Sequence, residues 1–172
     1  MKNENLRMKK TISYGITALI VLVIGFCAYI KLSTAKEGEL APSIEATLLN
    51  GTHFRLEDLR GEYVILNFWG SWCRPCRAEN LDLVQFYKKY KHKVKIVTYA
   101  FEKNTKNGEL ASNRDGFSWE HQIIEQSNLV LLSKTARDYG VFSIPTIFLI
   151  SPEGHILSQN SLAKIELFFS QL

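Results

Sequence analysis

Two thiols separated by two residues, Cys73 and Cys76, are the pair in this 172-residue chain whose type and spacing most plainly offer chemistry. A thiolate at one of them can attack a disulfide, and the other stands close enough to resolve the mixed disulfide that results. What precedes and follows them assigns the roles. The run Tyr63-Val64-Ile65-Leu66-Asn67-Phe68-Trp69 is apolar on both faces and bounded by Gly70, the pattern of a central strand covered on both sides. From Arg77 to Tyr90, polar and apolar residues recur at helical spacing. Cys73 therefore falls at a helix N-terminus, where unpaired backbone N–H groups and the positive end of the helix dipole favour thiolate over thiol. Cys73 is the expected nucleophile and Cys76, one turn inside, the resolving thiol. Arg74 places a cation beside Cys73, or is simply solvated. Pro75, with no N–H and a fixed φ, holds the turn between the thiols at a position that early helix geometry tolerates.

Two other uses of such a pair fit less well. A structural zinc site generally takes four ligands, and the only further cysteine is Cys27, inside an apolar segment. A disulfide that closes so short a loop constrains the unfolded chain little. Redox exchange is the reading that uses the strand, the helix and both cysteines.

With those residues in place, the sequence resembles thioredoxin-like proteins, and among them the membrane-anchored extracytoplasmic thiol:disulfide oxidoreductases of the TlpA/ResA type. The resemblance runs from about Leu40 to Leu157. It is carried by Leu66 to Glu79, by Ser143-Ile144-Pro145-Thr146 and by Ser151-Pro152-Glu153-Gly154. It implies an α/β fold with a central mixed sheet flanked by helices, an N-terminal hairpin extension, an insertion between parallel strands, and one transmembrane helix before the domain. It also implies that the Ile144–Pro145 bond is cis and lies against the cysteines, and that the backbone of Ile144 pairs with an extended substrate. Trp72, Arg74, Pro75, Ile144 and Pro145 become the expected substrate-binding residues, with Trp69 shielding the thiols. Thioredoxins usually support the resolving cysteine with a buried acid on the core strand, where this chain has Asn67. In the TlpA/ResA type a helix glutamate takes that place, and Glu79, three residues past Cys76, shares its helical face. The competing role for Glu79 is a surface ion pair with Arg77 or Arg74. Asn80-Leu81 lacks the proline that often follows this glutamate, so a straighter helix is expected. No cofactor or metal is implied beyond the redox-active Cys73–Cys76 pair. The partners implied are exported proteins with disulfides, apocytochrome c among them, and a membrane electron donor. A disulfide oxidase or isomerase of the same fold remains open, since about 1.4 kcal/mol of thiolate stability moves the potential by about 30 mV. A copper-binding module also remains, although it would want a wider cysteine spacing and a distal histidine; His53, His92, His121 and His155 form no recognisable motif.

The N-terminus gives the expected location. Ile12 to Ile30 carries no charge, and at about 1.5 Å per residue it comes close to the roughly 30 Å of a bilayer's hydrocarbon core. Lys2, Arg7, Lys9 and Lys10 before it, against Glu4, put the N-terminus in the cytoplasm by the positive-inside rule. The expected organisation is a basic cytoplasmic segment at 1–10, an anchor at 11–31, a linker at 32–39 and a domain at 40–172 that faces the periplasm or cell exterior. Ser33-Thr34-Ala35 offers a cleavage site as the alternative, but the apolar run exceeds a usual signal peptide core. Cys27, preceded by bulky Phe26, reads as an apolar residue of the span rather than a lipid attachment site. The net charge of +4 comes from this appendage, and residues 36 to 172 hold 16 Lys/Arg against 16 Asp/Glu. Nothing in that balance suits nucleic acid, and Lys88 to Lys93 reads as a solvated helix end.

Around the core strand, Asn50-Gly51 between Ile44–Leu49 and His53–Leu56 signals a hairpin, followed by a helical turn at Glu57–Arg60. Val94–Ala100 reads as a second buried strand, parallel to the first. Glu102–Phe117, with Asn107-Gly108 and Asp115-Gly116, reads as a loop with at most a short helical turn. Ser118 is expected to cap a helix over Trp119–Gln126, with a short strand at Asn128–Leu132 and a short helix at Ser133–Tyr139 ended by Gly140. Thr146–Ile150, a turn at Ser151–Gly154, His155–Ser158 and a sheet-covering helix after Ser161 complete the pattern. Trp119 and His121 are expected to pack rather than act.

Overall fold

The computed structural model describes residues 13–25, 34–127 and 129–172. The chain divides into two compact units, Met1–Thr34 and Ala35–Leu172. In the first, residues 13–25 form helix α1, and Ile16, Leu19, Ile20, Val21, Leu22, Val23 and Ile24 all stand exposed on it. Among the described residues no helix is long and apolar enough to cross a membrane. The basic segment expected at 1–10, both ends of the anchor expected at 11–31, and Cys27 lie outside the described residues.

The second unit is built on a five-stranded mixed sheet. Its strands are β3 (Tyr63–Trp69), β4 (Val94–Glu102), β5 (His121–Gln126), β6 (Thr146–Ile150) and β7 (Ile156–Gln159), in the order β5-β4-β3-β6-β7. β3 and β4, and β4 and β5, run parallel; β6 is antiparallel to β3 and β7. The hairpin β1 (Glu45–Thr47) and β2 (His53–Arg55) precedes it. Two parallel steps demand two crossover helices, α2 (Arg74–Tyr90) and α3 (Thr105–Asp115). α4 (Lys134–Asp138) and α5 (Leu162–Ser170) complete the set.

Because side chains alternate across a strand, β3 feeds two separate cores. Val64, Leu66 and Phe68 pack with the hairpin residues Leu48 and Phe54 and with Ala136, Tyr139 and Val141. Ile65 faces α2 and α5 through Leu83, Phe86, Ile165 and Phe169. On that second face the next two positions are Asn67, which donates to Asn80, and Trp69, which packs in a small third apolar cluster with the cysteines. Each fully buried large side chain here contributes roughly 1.5–3 kcal/mol, enough in sum to hold a rigid platform at the C-terminal end of β3. Ala35 and Gly38, in the stretch expected as a linker, donate backbone hydrogen bonds to Asp138 and Ile156.

Three sequence expectations are corrected between β4 and β6. Residues 102–117 are more ordered than a loop with a short helical turn: β4 continues to Glu102, and the Asn104 side chain then accepts from the Lys106 N–H to cap the 11-residue α3. Asp115-Gly116 is the end of that helix, with Gly116 at φ +87° donating back to Ser112. Gly108 lies inside it because a Cβ there would come within 3.0 Å of Ile124 and 3.1 Å of Glu102, so a residue pair that looks like a turn marks close packing of helix on strand. Second, 119–126 is not a helix. His121–Gln126 forms β5, drawn into the sheet by its register with β4, a tertiary pairing that overrides local helix preference. Third, the expected strand at 128–132 is a single 3-10 turn at Val130–Leu132, with Asn128 outside the described residues. The short helix after Ser133 and the capping of α5 by Ser161 are as expected.

Candidate active site

The Tyr63–Trp69 strand delivers the chain to Gly70, and the backbone turns at once, with Cys73 N–H donating to Gly70 C=O. A larger residue at position 70 would have to displace the Trp72 ring: a Cβ would lie 2.8 Å from Trp72 Nε1 and 3.2 Å from the Phe101 carbonyl. Cys73 is the N-cap of α2, Arg74 and Pro75 open the helix, and Cys76 sits in its first turn. The two sulfurs are joined at 2.05 Å. Cys76 N–H donates to Cys73 Sγ at 3.2 Å. The helix tip thus addresses that sulfur directly, the arrangement that stabilises a thiolate once the bond is reduced. Of the two, Cys73 retains some accessible surface at 6% while Cys76 has none, so Cys73 is the sulfur that an incoming group can reach.

The Ile144–Pro145 bond is cis, and the Ile144 carbonyl oxygen lies 3.7 Å from Cys73 Sγ. Residues 71 apart in sequence therefore meet at the sulfur. Trp72 is 59% exposed beside it, its ring held by a 2.9 Å bond from Nε1 to the Phe101 carbonyl. Phe142 is likewise exposed, and Arg74 points to solvent. Trp69 is buried under the thiols with Cys73, Cys76 and Ala100, its ring 5.2 Å from Phe117. Trp119 and His121 take packing roles: Trp119 is buried and donates to Thr98, and His121 rests on Phe54.

Glu79 is half-buried one turn beyond Cys76. Burial, and then the neighbouring Asp82 carboxylate, push its pKa above the usual carboxylate range. It forms no ion pair with Arg77 or Arg74 among the described residues, because Arg77 is engaged elsewhere. Arg77 donates from Nε and Nη2 to the buried Asp115, a pairing that raises the guanidinium's pKa further. Asn80, fully buried, donates to Asp115 at 2.7 Å and accepts from Asn67 at 3.4 Å. The residue that stands where a proline might have kinked α2 is thus a tie between helix, core strand and α3, and α2 runs unbroken from Arg74 to Tyr90.

Reading the sequence missed Glu102. At 1% exposure its carboxylate accepts from the backbone N–H and the hydroxyl of Ser71. With the Trp72–Phe101 bond, it clamps the loop that precedes Cys73 to the end of β4. The signal for it was weak, since Glu102 stood at the start of an apparent polar loop; only the continuation of β4 by two residues buries it. Asp115 and Asn80 were missed for the same reason, that their partners lie 35 to 38 residues away. Among the described residues no three His, Cys, Asp or Glu side chains cluster so as to hold a metal ion.

Comparison with known proteins places this arrangement within a family. The pattern of the AhpC/TSA family matches residues 38–159. Thiol-disulfide oxidoreductase ResA of Geobacillus thermodenitrificans (strain NG80-2) is 32% identical over 161 residues, covering 91% of this chain and 87% of that protein. ResA of Bacillus thuringiensis (strain Al Hakam) is 31% identical over 158 residues, 88% of each. A solved thiol-disulfide oxidoreductase from Bacteroides fragilis NCTC 9343 superposes with a TM-score of 0.68 at 28% identity, covering 78% of this chain and 100% of that one. The chain belongs to the AhpC/TSA family of thioredoxin-like proteins, and within it is a thiol:disulfide oxidoreductase of the ResA type.

Proposed function

We propose that this oxidoreductase is anchored in the bacterial cytoplasmic membrane, faces outward, and reduces disulfides of exported proteins, in the manner of cytochrome c maturation. The observation that carries the reading is the helix-tip N–H on Cys73 Sγ beside the Ile144 carbonyl. In the reduced enzyme the Cys73 thiolate attacks one sulfur of the substrate disulfide, forming a mixed disulfide and expelling the other sulfur as a thiolate, which takes up a proton. Cys76 loses its proton and attacks Cys73 Sγ, closing the Cys73–Cys76 bond and releasing the second substrate thiol. Two electrons and two protons pass from dithiol to substrate, and a membrane electron donor restores the dithiol. Glu79 takes the Cys76 proton, a role its raised pKa brings closer to the thiol's own range. Trp72, Arg74, Pro75, Ile144 and Pro145 form the surface on which the substrate lies.

Anchoring is supported by the apolar side chains exposed along α1, a surface costly in water and suited to lipid. The test is the reduction potential of the Cys73–Cys76 pair against glutathione buffers. A value nearer the about −270 mV of thioredoxin supports a reductant, and one nearer the about −120 mV of a strong oxidant overturns it in favour of disulfide formation.

A further inference from the structure

Beside the active-site loop a cleft of about 210 Å³ opens, lined by Ser71, Arg77, Asn107, Leu110, Ala111 and Arg114. This is about seven water volumes, room for one side chain. Four of the six residues come from α3 at positions 107, 110, 111 and 114, the spacing of a single helical stripe. α3 turns Gly108, Ala111, Ser112 and Asp115 inward, and leaves Asn107, Leu110 and Arg114 exposed. The remaining wall belongs to the reacting centre, since Ser71 lies two residues before Cys73 and Arg77 follows Cys76.

The chemistry of the wall is specific. Asp115 fixes Arg77 through Nε and Nη2, and Nη1 has no partner among the described residues. Arg114 makes no ion pair among the described residues. The acids behind the cleft are committed, Asp115 to Arg77 and Asn80 and Glu102 to Ser71. What faces an incoming group is a guanidinium, the Asn107 amide and the apolar surface of Leu110 and Ala111. A planar cation with an apolar shelf fits an anion carried on a short aliphatic stem.

We infer that this cleft binds an Asp or Glu side chain of the polypeptide substrate, a few residues from its disulfide, with the carboxylate on Arg114 and the methylenes against Leu110 and Ala111. Arg114 is then a specificity determinant that holds the substrate while Cys73 attacks. The inference rests on disulfide exchange at Cys73 and adds to it a preference among substrates. The experiment compares kcat/KM of the full-length protein on matched disulfide peptides that differ only in Glu or Gln two residues from a cysteine. The wild type favours the Glu peptide by roughly fivefold, as one charge-assisted contact at a partly exposed site allows, and 0.5 M salt shrinks the ratio. Arg114→Gln brings the ratio to about one and Arg114→Glu inverts it, whatever each variant does to the overall rate. Lys164→Gln on α5 removes the same unit of charge elsewhere and keeps the ratio. A wild-type ratio near one, a ratio retained in Arg114→Gln, or one equally lost in Lys164→Gln overturns the inference. Failure to reduce either peptide would instead count against disulfide exchange itself.

Discussion

Glu79 is where a single side chain's environment has the most to say about rate. Its burial beside Asp82 raises its pKa, so it exchanges a proton at higher pH than an ordinary carboxyl. If it takes the Cys76 proton, the rate of substrate release rises with pH through that raised pKa, and Glu79→Gln loses this limb along with about 100-fold or more of the rate at neutral pH. Stopped-flow kinetics from pH 4 to 9 measure both, and an unchanged profile would remove the proton role. The same substitution acts on stability with opposite sign. A carboxyl whose folded pKa exceeds its unfolded value contributes stability that is fully present below the unfolded pKa and lost as pH rises through the folded one. Glu79→Gln should therefore be more stable than the parent at pH 7, with the gain vanishing below the ordinary carboxylate range. A stability cost traded for catalysis is what an active-site acid should display.

Between elements, the tie that matters joins α2 to α3 beneath the cysteines. Asp115 accepts from Arg77 and Asn80 while nearly enclosed itself. Breaking a fully buried ion pair costs about 3–5 kcal/mol. Arg77 keeps 30% of its side-chain surface, and solvent screening brings the expected loss for Asp115→Asn to about 2 kcal/mol. Urea denaturation should show a lowered midpoint with an unchanged slope. These ties also explain what sequence could and could not disclose. β3, α2, β4 and β6 were legible because each carries its own period, cap or apolar run, and with them came Cys73 and Cys76; the Ile144–Pro145 turn was expected only through the resemblance to thioredoxin-like proteins. α3 and β5 were not. Asn107-Gly108 has the composition of a turn, and its meaning lies in the approach of Gly108 to Ile124 and Glu102. His121–Gln126 has no clear alternation, and β4 alone makes it a strand. Glu102, Asn80 and Asp115 were hidden because a polar residue's burial is decided by partners on other elements.

For the whole molecule, the proposed function gives the two units separable tasks. Both apolar layers of the sheet lie within Ala35–Leu172, so a chain starting at Ala35 should unfold cooperatively and exchange disulfides with soluble peptides at about the parent rate. The intact chain should sediment with membranes and the shortened one should not; equal partitioning of the two would contradict anchoring through the N-terminal unit. What both must share is the order of events at the sulfurs, which rests on Cys73 capping a helix and Cys76 lying wholly buried behind it. The most direct measurement is mass spectrometry of mixed disulfides formed with a disulfide peptide by Cys76→Ser and Cys73→Ser variants. Cys76→Ser should accumulate the peptide on Cys73 in near-stoichiometric yield, and Cys73→Ser should trap almost none; a stable adduct on Cys76, or none on Cys73, would contradict the account.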